Sequence, residues 1–323
     1  MPHIFIDTTG CAFTYFVARV LGGCKVGAYV HYPTISTDML ALVWSRRPTY
    51  NNDSQVTKSL LITYAKTLYY VLFAVAYGFV GSLAVLVMVN STWTFYHIVS
   101  IWRGASKRIK IVFPPCDVTN LQNLPLEGRN LIVISIGQFR PEKDHALQIR
   151  SLALLREKYP KWNLVKLVLV GSCRGNEDET RVEELRKLVL ALGLVESVDF
   201  VLNQPYSVVK DWFGKASVGI HTMWNEHFGI GVVEMMAAGL LVVAHNSGGP
   251  KADIVTPLHG NKQTGYLAAT DEEYADAMNA AFSLDNAAAI EMRRNARISA
   301  CRFSDEVFNE TFKSVFLESG IMK

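Results

Sequence analysis

Ser217-Val218-Gly219-Ile220-His221-Thr222-Met223-Trp224-Asn225-Glu226-His227-Phe228-Gly229-Ile230-Gly231-Val232-Val233-Glu234 leads, within a few residues, into Leu240-Leu241-Val242-Val243-Ala244-His245. Two short apolar runs flank an apolar segment of helical length that opens on glycines. Runs of this kind read as strands buried on both faces, with the segment between them as the crossover helix of a parallel unit. The same alternation extends outward. Strands are expected over 131–137, 164–170, 198–202, 217–221 and 240–245. Helices are expected over 145–159, 179–192, 208–215, 229–238, 271–283 and 287–302. Strands alternating with helices at this spacing predict an α/β protein with a doubly wound parallel sheet, whose chemistry lies in the loops beyond the carboxyl ends of its strands.

Three such loops carry suitable residues. The first, after 217–221, holds Glu226 and, eight positions on, Glu234 in the helix that follows. Gly229 and Gly231 leave backbone N–H groups at the helix start open to an anion. A capped helix with one surface glutamate would have the same spacing. The second is Gly137-Gln138-Phe139-Arg140-Pro141-Glu142-Lys143-Asp144, where Arg140 and Lys143 could clamp a diphosphate. Read alone, it could equally be a solvated loop. The third is Asn246-Ser247-Gly248-Gly249-Pro250-Lys251, which on its own is a plain tight turn. All three follow strands of one sheet and are expected to converge on one crevice.

The N-terminal third reads differently. Strands are expected over 1–7 and 25–30. Residues 67–102 contain no Asp, Glu, Lys or Arg. Residues 68–89 could form a transmembrane helix. Alternatively, a helix over 69–77 breaks near Gly78 and Gly81 and precedes a buried strand over 84–91. The glycines and the β-branched run favour the second reading. Tyr64, Tyr69, Tyr70 and Tyr77 would then serve as aromatic anchors at a bilayer surface. Residues 1–130 carry 11 Lys+Arg and 5 Asp+Glu, whereas 131–323 carry 21 and 24. A basic end beside an acidic remainder suits phospholipid head groups and is too weak for nucleic acid. The five cysteines are scattered without a C-x-x-C pair, as in reduced thiols of a cytosolic environment. The sequons at Asn52, Asn90 and Asn309 are common triplets. No cleavable signal is evident.

Taken together, Ser135-Ile136-Gly137-Gln138-Phe139-Arg140-Pro141-Glu142-Lys143, the Glu-x7-Glu stretch from His221 to Glu234, and Ala244-His245-Asn246-Ser247-Gly248-Gly249-Pro250-Lys251 resemble retaining GT-B glycosyltransferases of the family-4 type. They are most similar to the asparagine-linked-glycosylation α-1,2-mannosyltransferases, and Tyr29-Val30-His31-Tyr32-Pro33-Thr34-Ile35-Ser36-Thr37-Asp38-Met39-Leu40 resembles that family's N-terminal domain. The resemblance implies a GT-B fold of two Rossmann-like domains with the N-terminal one incomplete. The expected divisions are an acceptor- and membrane-facing domain over 1–128, a GDP-mannose-binding domain over 129–300, and a helix over 301–323 that packs back toward the first domain.

The resemblance also implies roles. Glu234 would hold the ribose of GDP. Glu226, with the N–H groups of His227, Phe228 and Gly229, would hold the mannose and phosphate, and Gly137, Arg140 and Lys143 would complete the donor site. The family usually has Arg where this chain has Gln138, so the phosphate arginine is expected to be Arg140. His31 and Asp7, at strand ends, are acceptor-side candidates with structural roles as the alternative. No D-x-D pair occurs, so no metal and no cofactor are expected. The implied partners are GDP-mannose as donor, a dolichol-diphosphate oligosaccharide as acceptor, the endoplasmic reticulum membrane at its cytosolic face, and other mannosyltransferases of the pathway. A truncated chain that binds nucleotide sugar without turnover is the competing reading, and an integral membrane protein built on 68–89 is a third.

Overall fold

The computed structural model describes residues 2–35 and 60–322. Ser36–Leu40 of the N-terminal stretch and the Asn52 sequon lie outside the described residues. The chain forms two compact units. The first comprises Met1–Pro114 and Glu306–Lys323, and the second Pro115–Asp305.

The first unit is built on strands β1 (Ile4–Asp7), β2 (Lys25–Val30), β3 (Leu86–Val89) and β4 (Ile109–Ile111), paired in parallel in that order. All four residues of β3 are buried, as a central parallel strand requires. Helix α1 (Phe13–Phe16) passes into a wider turn over Val17–Leu21 before β2. Helix α2 (Leu60–Gly81) and helix α3 (Thr92–Ile101) cover the sheet, with Trp102, Tyr15 and Tyr77 fully buried against it. The apolar stretch is therefore a helix followed by a separate buried strand. The helix runs on through Gly78 to Gly81, where a break had been expected, and starts well before residue 69. Among the described residues, no helix is long and apolar enough to cross a membrane. Asn90 is buried, donates from Nδ2 to the His31 carbonyl at 2.9 Å and accepts from Thr94 Oγ1 at 2.6 Å, which ties the side chain of its sequon into the fold.

The second unit holds β5 (Asn130–Ile136), β6 (Lys166–Gly171), β7 (Val198–Leu202), β8 (Ala216–His221), β9 (Leu241–His245) and β10 (Tyr266–Ala268). Its sheet is parallel in the order β10-β9-β8-β5-β6-β7. Helices α4 (His145–Lys158), α5 (Asn176–Ala191), α6 (Tyr206–Lys215), α7 (Ile230–Ala237), α8 (Asp271–Phe282) and α9 (Asn286–Ala300) are its crossovers and flanks. From β5 the chain steps outward through β6 and β7, then returns to place β8 on the other side of β5. That reversal is the point of the sheet where loops diverge and a ligand fits.

The divisions fall at Pro115 and Glu306, against the expected 129 and 301. Residues 115–128 belong to the second unit because they pack into it. Cys116, Val118 and Leu121 are buried, and the Cys116 amide donates to the Phe303 carbonyl at 2.9 Å. Arg129 donates to the carbonyls of Pro125, Phe213, Ala216 and Ala238. Helix α10 (Asp305–Glu318) sets Phe308, Phe312 and Phe316 against Tyr29, Met88 and Val112 of the first unit.

Candidate functional site

The loops after β5, β8 and β9 meet beyond the carboxyl ends of neighbouring strands. Asn225 adopts φ 51°, a left-handed turn that asparagine tolerates, immediately before Glu226. The turn is fixed from the third loop. The Ser247 hydroxyl accepts from the Asn225 amide at 2.8 Å, and the Gly249 amide donates to the Glu226 carbonyl at 2.8 Å. The approach needs the glycine pair. A Cβ on Gly248 would stand 2.2 Å from the Glu226 carbonyl oxygen, and one on Gly249 2.4 Å from that of Phe228. The second loop is tied in by Thr222, whose hydroxyl donates to the Lys143 carbonyl at 2.7 Å and accepts from Gln148 Nε2 at 2.8 Å.

At the centre, Lys143 Nζ donates to Glu226 Oε2 at 2.6 Å, and His221 Nε2 lies 3.2 Å from the same oxygen. A carboxylate only accepts, so the His221 proton in this contact is on Nε2. Burial by itself would push the Glu226 carboxyl up. The hydrogen bonds and charges of His221 and Lys143 outweigh it and hold Glu226 well below the usual carboxylate range. The His221 ring is buried, its carbonyl accepts from the Tyr274 hydroxyl at 2.8 Å, and its Nδ1 makes no hydrogen bond among the described residues. The stem of Lys143 passes over Gly137, 3.5 Å from where a Cβ would be.

Helix α7 begins at Gly229, whose φ of 112° only glycine adopts readily. The amides of Ile230 and Gly231 open the helix with no turn behind them to accept their protons. Glu234, one turn further along, accepts from the Tyr206 hydroxyl at 3.3 Å. Burial raises the Glu234 carboxyl above its ordinary value. The Tyr206 hydrogen bond pulls it back in part, and Asp117 adds to the rise.

The expected residues separate into groups. Lys143, Glu226 and Gly137 come together. His227 is half-buried in the same loop, and Phe228 puts its ring in the core against Phe303 at 5.2 Å, which leaves only its backbone for a ligand. Arg140 is exposed and lines a cavity of about 220 Å³ with Arg181, Glu184 and His145, where it does not accompany Lys143. In the first unit, Asp7 is consumed by its own loop. It accepts from the Thr9 amide and hydroxyl, the Gly10 amide and the Tyr15 hydroxyl at 2.6–3.0 Å. His31 is exposed at the end of β2, its ring 4.6 Å from that of Tyr29, and desolvation lowers its pKa. Tyr77, an expected anchor, is fully buried and donates to the Gly10 carbonyl at 2.9 Å. His221, Thr222, Ser247 and Tyr206 were given no role from sequence, although three of them end or follow strands. Among the described residues, no three His, Cys, Asp or Glu side chains are grouped to hold a metal ion.

Residues 119–299 match the glycosyl transferases group 1 family. The chain belongs to that family. Residues 1–102 match the ALG11 mannosyltransferase N-terminus. Over 97% of its length the chain is 49% identical to a mouse protein and 47% identical to a human one. A Dictyostelium discoideum protein is 44% identical over the same share. All three are named GDP-Man:Man(3)GlcNAc(2)-PP-Dol alpha-1,2-mannosyltransferase. The chain covers 64%, 65% and 63% of them, so it spans just under two thirds of these relatives' length. Among solved structures, Anabaena Alr3699/HepE in complex with UDP and glucose superposes with a TM-score of 0.71 at 19% identity, over 97% of this chain and 78% of that one. Sucrose-phosphate synthase from Thermosynechococcus elongatus gives 0.68 at 18%, over 99% and 74%. These likenesses show the fold, the parallel two-sheet α/β architecture of GT-B glycosyltransferases.

Proposed function

We propose that the chain transfers mannose from GDP-mannose, in α-1,2 linkage and with retention, to the dolichol-diphosphate-linked core oligosaccharide at the cytosolic face of the endoplasmic reticulum. The observation that carries this reading is the match to mannosyltransferases so named over 97% of the chain. The donor would lie where the β5, β8 and β9 loops meet. Glu234 would accept from the ribose hydroxyls. The diphosphate would face the α7 N-terminus and Lys143, whose cation stabilises the charge that grows as the glycosidic C–O bond breaks. Glu226 keeps Lys143 extended and shares it with the leaving group. Its carboxylate and the neighbouring amides would take the mannose hydroxyls. Transfer to the same face of the sugar would proceed within the ion pair, with no covalent intermediate on the protein.

The acceptor's lipid stays in a bilayer, and the first unit is suited to meet it. Leu68, Tyr69, Leu72, Val75 and Phe79 of α2 are 60–66% exposed. Arg103, Lys107 and Lys110 follow within the same unit, each worth about 1 kcal/mol near anionic lipid. Arg108 adds its charge from a fixed position, because its guanidinium donates to the carbonyls of Ser82, Ala84 and Gly104. The deciding experiment incubates the chain with labelled GDP-mannose and a trimannosyl-chitobiosyl lipid acceptor. A mannosylated lipid product is expected, and it should form equally in excess EDTA. GDP binding without product would replace this reading with that of a non-catalytic fragment.

A further inference from the structure

The first unit also contains a groove that the donor chemistry does not use. It lies between α2 and the α3 C-terminus, has a volume of about 540 Å³, and is lined by Val71, Val75, Gly78, Phe79 and Ile101 with Arg103 among them. That volume is in the range of small-molecule sites. Its shape comes from close packing at one end. A Cβ on Gly78 would stand 2.4 Å from the Ile101 carbonyl oxygen, so glycine is what lets α2 press against the end of α3 there. Arg108 holds the adjoining turn, donating to the carbonyls of Ser82, Ala84 and Gly104. The walls are therefore built on fixed backbone, although Val75 and Phe79 are each 66% exposed.

The charge is one-sided. Residues 67–110 contain no Asp or Glu, and Arg103, Lys107, Arg108 and Lys110 are all basic. Arg103 is exposed, touches the Ser100 carbonyl through Nε at 3.3 Å, and pairs with no carboxylate among the described residues. An apolar trough with an unpaired guanidinium complements an apolar chain that carries a phosphate or diphosphate at one end.

We infer that this groove binds the first isoprene units of a polyprenyl diphosphate, with the diphosphate on Arg103. The inference rests on the proposed acceptor. In the relatives' name, three mannoses and two N-acetylglucosamines stand between the lipid diphosphate and the end that receives mannose. The lipid end is thus held apart from the transferred sugar and needs contacts of its own, on the unit that does not contain Lys143 and Glu226.

The test uses the purified chain and a benzophenone-bearing farnesyl diphosphate as photoprobe. Cross-links are expected on peptides containing 71–82 and 100–104, and geranylgeranyl diphosphate should compete them away, whereas inorganic pyrophosphate at the same concentration should not. Val75→Glu, which puts a carboxylate in the apolar trough, should lower labelling about tenfold. Arg103→Glu should lower it by a similar factor, while Arg103→Lys should restore most of it. Both positions are solvent-exposed, so the melting temperature should not change. Labelling spread evenly over the chain, or unchanged in both variants, overturns the proposal. So does competition by phosphatidylcholine–phosphatidylserine vesicles but not by geranylgeranyl diphosphate, which would assign the groove to bilayer lipid. Mannose transfer measured on the same preparation tests the proposed function separately. Labelling without transfer would leave the groove standing and remove the enzyme. Transfer without labelling would do the reverse.

Discussion

Asp7 ends the parallel strand β1 and Glu226 lies in the loop after β8, and both carboxyls are held below their ordinary values against the opposing effect of burial. Their partners differ in kind. Asp7 is held by Thr9, Gly10 and Tyr15, which lie two, three and eight residues away. These are neutral donors of one local segment, two from the turn and one from α1, and their bonds help fix the backbone between β1 and α1. Glu226 is held by His221, five residues away, and by Lys143, 83 residues away, the latter from a loop after a different strand. A carboxylate satisfied within its own turn is part of the fold. One held by a cation from another loop keeps that cation ready for a ligand, because exchanging the partner requires no backbone change. The direction of a pKa shift does not separate the two cases, but the origin of the partners does.

The sharpest test of this contrast is Lys143→Ala. Under the proposed role it removes the cation opposite the leaving diphosphate, so kcat should fall by about two to three orders of magnitude, the cost of losing a preorganised charged donor. The thermal midpoint should also fall, because the largely buried Glu226 is left with His221 alone, so kcat is read well below the variant's midpoint. Lys143→Arg should recover part of the loss. A kcat within a factor of about three of the parent would mean that the Lys143–Glu226 pair is only structural.

Asp7→Ala should show the opposite pattern. Losing a carboxylate that accepts four hydrogen bonds should cost about 2–3 kcal/mol of stability in the first unit. Affinity for GDP should be unaffected. The carboxyl of the folded chain lies below its unfolded value near 3.8, so its contribution is complete above that pH and fades as the pH falls through the folded value. Denaturant melts of the parent and the variant should therefore converge in acid. A loss of GDP affinity with unchanged melts would reverse the assignment.

Glu234→Ala is expected to weaken GDP binding by about 1–3 kcal/mol, as for a charged acceptor lost from a ligand hydroxyl. Unchanged affinity by calorimetry would end the ribose role and leave Glu234 as a helix residue paired with Tyr206.

What could be read from the sequence follows the same division between local and distant causes. Strands β5, β6, β8 and β9 were legible because a parallel strand buried on both faces leaves an unbroken apolar run. The loops after them were legible because the glycines and charges sit at run ends. The three-residue β10 left no such run. Helix α3 was hidden because residues 67–102 lack charge, so no polar face alternates with an apolar one to mark the helical period. Gly78 was misread as a breaker when it is a point of close approach to Ile101. In the site, the convergence of three loops was foreseeable because each follows a strand of one sheet, but the Lys143–Glu226 contact was not, because nothing local encodes a pairing across 83 residues. Arg140 shows the reverse. Its type and spacing suited the donor phosphate, yet the turn over Pro141–Lys143 presents Lys143 to Glu226 while Arg140 lines the cavity with Arg181.

The finest test concerns the hydroxyl of Tyr206. It donates to Glu234 at 3.3 Å and lowers the pKa of that carboxyl, against burial and the charge of Asp117. Tyr206→Phe removes that donor and keeps the ring, so the Glu234 carboxyl should rise further. Under the ribose role, only the ionised carboxylate accepts from both ribose hydroxyls. GDP affinity should then decline as the pH drops through the Glu234 pKa, and the midpoint of that decline should move to higher pH in the variant. Well above the midpoint the two proteins should bind GDP within about 1 kcal/mol of each other, the net worth of one hydrogen bond. The measurement is GDP affinity by calorimetry across an acid-to-neutral series. If the midpoint stayed in place, Glu234 would not be the titrating group, and the ribose contact would have to come from another side chain.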